Sequence, residues 1–127
     1  MGTKLAFDKE DTWSMKYNIV WDKLLNLNIF NEEIFENEVE LYHSKLNKYG
    51  IPLECRSDYT KIDWLCWTTV MTDCPKYRED VFEAMYRYIN ETPDRAPMTD
   101  WHYTSEPRQQ KFQNRSVVGG LFINMLQ

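Results

Sequence analysis

Two aspartates occupy positions where a carboxylate can do more than decorate a surface. Asp63 lies in Ile62-Asp63-Trp64-Leu65-Cys66-Trp67, an otherwise apolar run, with Lys61 on one side and Trp64 on the other. A carboxyl group withdrawn from water holds its proton to higher pH unless a partner stabilises the charge, which is how general acids are made. The competing reading is an ion pair with Lys61, Arg56 or another base, because buried charges are usually paired. Asp100 stands between Thr99 and Trp101, three residues before Tyr103. As a loop carboxylate it could line a site and meet a polar substrate, or it could simply cap a turn. Two such groups are what glycoside hydrolysis requires, one giving a proton and one activating water or attacking. Asp63 and Asp100 could form that pair. For amide hydrolysis there is no GxSxG elbow and no Cys-His pattern, which leaves carboxylate-activated water as the default mechanism.

Around these acids the sequence offers a small set of ligand-contacting candidates. Arg56 and Lys61 could hold a substrate carboxylate, although such residues more often tie loops to helix ends. Trp64 and Trp101 each neighbour a candidate acid and, with Tyr103, are the aromatic choices for substrate contact. Trp13, Trp21 and Trp67 read as core. Asp22 reads as one half of a helix-surface ion pair, and Arg115 as an anchor for the loop before it. Cys55, Cys66 and Cys74 form an odd set without CxxC spacing, and His43 and His102 have no second ligand at metal spacing. No metal and no cofactor is therefore expected.

The elements that must carry these groups read as helices. Apolar residues recur every three or four positions from Trp13 to Leu25 after a cap at Asp11-Thr12. They recur again from Glu32 to Tyr49, with Gly50 as the stop and Glu32, Glu33 and Glu36 at the positive end of the dipole. A third helix starts near Thr60 or Lys61 and is apolar on nearly every side to Met71, so it should be central. A fourth follows Cys74-Pro75 and ends at Thr92-Pro93. The stretch from Asp94 to Arg115 has little periodicity. The last helix, Val117 to Leu126, contains Gly119-Gly120 at a propensity cost of roughly 2 kcal/mol, which suggests close contact with a neighbouring helix. Strand signals are weak, so the expectation is one all-α domain over residues 1–127, about five helices paired as hairpins.

Composition narrows the class. With 43% hydrophobic residues the chain can build a core, and five Trp, eight Tyr and six Phe exceed what a plain helical bundle needs. The net charge of −5 is spread along the chain, against the basic stripe a nucleic-acid binder requires. No apolar run approaches the ~20 residues of a membrane span. The opening Met-Gly-Thr-Lys-Leu-Ala-Phe-Asp lacks the apolar region of a signal peptide.

Several phrases are too particular to be generic helix. They are Thr12-Trp13-Ser14-Met15-Lys16-Tyr17-Asn18, Val20-Trp21-Asp22-Lys23-Leu24-Leu25, Lys48-Tyr49-Gly50-Ile51-Pro52-Leu53, Tyr59-Thr60-Lys61-Ile62-Asp63-Trp64, Thr99-Asp100-Trp101 and Phe112-Gln113-Asn114-Arg115-Ser116-Val117-Val118-Gly119-Gly120. In this order, over nearly the whole chain, they resemble the C-terminal region of the fungal glutaminase A family and its bacterial relatives. That family is similar to the six-hairpin glycosidases, so the resemblance implies part of an (α/α)6 toroid around a central funnel. It further implies a hydrolase acting on a glutamine-like amide or a glycoside, a secreted or periplasmic parent, and dependence on the remainder of that parent for activity. The alternative is a helical interaction or carbohydrate-binding module without catalysis. Helices removed from a ring also expose apolar edges, so a homo-oligomer is a further expectation.

Overall fold

The computed structural model describes residues 2–127. Its central element is the helix α3 (Ile62–Thr68), as its all-round apolar character predicts. Ile62, Leu65, Cys66 and Thr68 are fully buried, and Val70 and Met71 continue the core just beyond it. Around it pack α1 (Val20–Leu24), α2 (Glu32–Ser44), α4 (Pro75–Glu91) and a C-terminal 3₁₀ helix, Ser116–Leu126. Phe35 and Tyr42 from α2, Tyr77 and Val81 from α4, and Ile123 from the 3₁₀ helix complete the core.

The all-α expectation fails at one place. Tyr59–Lys61 forms a strand, β1, paired antiparallel with β2 (Trp101–Tyr103) in the register Tyr59 to Tyr103, Thr60 to His102 and Lys61 to Trp101. Each strand is three residues long, too short for an alternating pattern to register as a sequence signal. The alternation is nonetheless present: Thr60 and His102 are buried, while their neighbours face partly outward. His102 Nε2–H donates to the Tyr49 carbonyl at 2.9 Å, and the ring stacks on Tyr88 at 3.7 Å. Burial pushes its pKa down to about 4 against the opposing pull of that hydrogen bond, so it is a neutral core histidine.

Helix boundaries also shift. Residues Trp13 to Met15 are extended beside 53–55, with Met15 N–H donating to Leu53 O and Cys55 N–H to Trp13 O, so the first helix begins only after the 3₁₀ turn Tyr17–Ile19. The second ends at Ser44, and Gly50 serves a tight turn closed by Asn47 and Gly50 instead of stopping a helix. Gly50 has φ +144°, and a Cβ there would lie 2.9 Å from Leu65 Cδ2. Asp22 is not a surface partner. Its side chain is buried and accepts the N–H groups of Ile29 (2.9 Å) and Phe30 (3.1 Å), which folds the loop after α1 back on itself.

The glycine pair near the C-terminus behaves as its cost implies, but asymmetrically. A Cβ on Gly120 would sit 2.7 Å from Asp63 Cβ and 2.8 Å from Trp67 Nε1, whereas one on Gly119 meets nothing. Bare backbone at Gly120 is what lets the 3₁₀ helix lie against α3. Gly120→Ala should therefore cost about 1–3 kcal/mol through overpacking, while Gly119→Ala should be neutral or slightly stabilising. Urea unfolding of the two variants checks this, and equal effects would mean the close approach does not matter.

Candidate active site around Asp63 and Asp100

β1 runs directly into α3, which places Lys61 and Asp63 two residues apart at the junction of strand and helix. Asp63 belongs to the first turn of α3 and is only 5% exposed. Its Oδ1 has no hydrogen-bond partner, and no cation among the described residues forms an ion pair with it. Burial pushes its pKa up. The backbone N–H groups of Trp64 and Asp63 at the helix start pull part of the way back, the nearby Asp100 charge pushes up again, and Lys61 opposes it.

Lys61 pairs with the other aspartate. Its Nζ donates to Asp100 Oδ2 at 3.0 Å and lies 4.6 Å from the Trp101 ring centre and 4.9 Å from that of Phe112. Arg115, just ahead of the 3₁₀ helix, donates Nε–H to Asp100 Oδ1 at 3.0 Å and an Nη2–H to Oδ2. Asp100 itself is fully buried, and its backbone carbonyl accepts the N–H of Ile62, the first residue of α3, at 2.9 Å. Burial raises its pKa, but the hydrogen bonds from Arg115 and Lys61 outweigh it and hold the carboxyl below its ordinary value. The two acids are thus driven in opposite directions, which is the pattern that separates a proton donor from a group kept ionised.

The remaining candidates fall at different distances from this centre. Trp64 stacks on Tyr17 at 3.9 Å and an interplanar angle of 6°. Trp101 stacks with Phe112 at 5.2 Å, meets Tyr59 edge-on at 5.0 Å, and buries an indole N–H without an acceptor. Tyr103 donates its hydroxyl to Gln110 at 3.2 Å and carries Arg108 over its ring at 4.5 Å. Arg56 pairs with Glu54 in an exposed loop, so neither it nor Lys61 neutralises Asp63. Tyr17, Phe112 and Gly120 also take part in the site: Tyr17 stacks on Trp64, Phe112 faces Lys61 and Arg115, and Gly120 lies against Asp63. Arg115 anchors the long loop, as expected, and does so through the candidate acid. A cavity of about 240 Å³ is walled by Gly120 and Trp67 together with Trp21, Phe122, Ile123 and Leu126. A larger one of about 470 Å³ lies between α1, the start of α2 and the chain's end, away from both acids.

Residues 2–125 match the glutaminase A six helical-hairpin domain. The chain belongs to that family. It is 32% identical over 123 residues to Glutaminase A of Aspergillus oryzae, an alignment covering 94% of this chain and 18% of the fungal protein. It is 27% identical over 149 aligned positions to a probable glutaminase of Arthroderma benhamiae, covering 94% of this chain and 17% of that protein. The chain therefore spans less than a fifth of the length of these relatives. No solved structure matches it.

Family membership does not assign roles to single residues, but the geometry ranks them. Asp100 is the group whose loss is felt by β1, α3, β2 and the C-terminal 3₁₀ helix together. Asp100→Asn leaves two cations around a neutral amide and should destabilise the chain by about 3–5 kcal/mol. Denaturant unfolding measures it, and a loss under about 1 kcal/mol would show that the cluster behaves as an ordinary surface pair.

Proposed function

We propose that the chain is the portion of a glutaminase-like hydrolase that carries the proton donor, on the wall of a funnel formed by an (α/α)6 toroid, and that it turns over no substrate alone. The observation that carries this reading is Asp63: a carboxyl buried at the head of α3, with one oxygen unpartnered and its pKa raised by burial. In the hydrolysis of a glutamine-like carboxamide, the protonated Asp63 gives its proton to the departing nitrogen as water adds to the carbonyl carbon and the C–N bond breaks. A second carboxylate must take a proton from that water. Both Asp100 oxygens are engaged by cations, which favours a base from another hairpin and leaves Asp100 to hold Lys61 and Arg115 in place. The same donor could serve a glycosidic oxygen, and the names of the two fungal relatives favour the amide.

Exposed apolar residues support the partial-ring reading. Leu25, Leu27, Ile29 and Phe30 in the loop held by Asp22, and Phe122, Met125 and Leu126 on the 3₁₀ helix, are all at least 41% exposed. Leu126 lines both cavities and so joins the two groups into one face. Surface of that kind fits packing against the remaining helical hairpins of a parent protein.

In a full-length glutaminase that contains this segment, Asp63→Asn should lower kcat by roughly 10³-fold with little change in unfolding midpoint, since the amide is isosteric and no ion pair is broken. Measured turnover of glutamine decides it. Full activity in the variant would remove Asp63 as the donor.

A further inference from the structure

The cluster around Asp100 holds two cations and one anion, and its second cation presents an unused edge. Arg115 spends Nε and Nη2 on Asp100, and its guanidinium lies 4.3 Å from the Phe112 ring centre. Nη1 makes no hydrogen bond among the described residues, and the side chain is 41% exposed. Lys61 is enclosed by contrast, at 13% exposure between two rings and the same carboxylate.

Other arginines are held less rigidly or are already used. Arg56 and Arg108 pair with acids two residues away in exposed loops. Arg87 is divided between Lys48 O and Glu83, and Arg78 between Thr69 O and Asp73. Arg115 alone among these is fixed by a fully buried carboxylate. A guanidinium fixed in this way loses little rotamer freedom when it binds, and its planar fork matches a carboxylate. Asp63 forms no ion pair with either cation.

We propose that the outward edge of Arg115 is the subsite for the α-carboxylate of the amino-acid substrate, held in place by Asp100 and Phe112. This rests on the glutaminase-like reading and adds to it a substrate-binding residue that is neither Arg56 nor the proton donor. The geometry gives the subsite a sign and a class: a small carboxylate, recognised by the Nη1 edge of a guanidinium whose other edge is held by Asp100.

The test is an NMR titration of the 127-residue chain, following the Arg115 side-chain N–H signals and the Phe112 and Ser116 amides. The ligands are L-glutamine and 4-aminobutanamide, the same amide without the α-carboxylate, at constant ionic strength. Glutamine should give saturable shifts at these positions, and 4-aminobutanamide should bind at least about tenfold more weakly. Arg115→Lys, which can keep a charge pair with Asp100, should weaken glutamine by about tenfold, and Arg115→Gln should abolish the shifts. Equal binding of the two ligands, unchanged binding by Arg115→Lys, or no saturable shift would each overturn the proposal. The donor assignment is read separately, by glutamine turnover of Asp63→Asn in the full-length protein, so its failure and the failure of the subsite give different results.

Discussion

The structure depends on one buried carboxylate. Asp100 is fully withdrawn from water, and it is stable there because Lys61 and Arg115 both donate to it. Those partners come from the two ends of the chain's central assembly: Lys61 closes β1, Arg115 opens the C-terminal 3₁₀ helix, and Asp100 leads into β2. Its backbone carbonyl also accepts the first N–H of α3. A single residue thus fixes the entry angle of the central helix, the register of the small sheet and the start of the segment that covers the helix. Burying an ion is costly, and removing either cation would leave the carboxylate under-compensated in the interior.

Asp63 owes its state to the same arrangement. Lys61 is its nearest basic neighbour in sequence, yet the lysine turns to Asp100 and is held there by Trp101 and Phe112. The 3₁₀ helix then brings Gly120 backbone against Asp63 and Trp67. What remains is a carboxyl with poor solvation and no ion-pair partner, beside a carboxylate with too many partners to accept a proton readily. The chemistry assigned to the pair follows from this division of cations, and it would disappear if Lys61 paired with Asp63 instead.

Much of this was legible in the sequence, and the parts that were not have identifiable reasons. The burial of α3, the Pro75 start of α4 and the close approach at the glycine pair follow from periodicity and local propensity, which are short-range signals. Asp63 stood out because a lone charge in an apolar helix is conspicuous. Its partner was less predictable: whether Lys61 faces Asp63 or Asp100 depends on strand pairing across 39 residues, which no local pattern encodes. The sheet leaves no sequence signal because three-residue strands are shorter than the window in which alternation can be recognised. The role of Asp22 is hidden for a similar reason, since its partners are the backbone N–H groups of Ile29 and Phe30 and leave no trace in side-chain type. The family phrases point to the glutaminase A six helical-hairpin family, while the division of cations between the two acids depends on pairing that no phrase encodes.

The most direct test of the account is the titration of individual carboxyl groups by ¹³C NMR on the intact chain. The account requires the Asp63 carboxyl to titrate above the ordinary aspartate value of 3.8 and the Asp100 carboxyl below it, within one sample. Finding Asp63 at or below that value would mean it is solvated or paired, and the assignment of a proton donor at the head of α3 would fall.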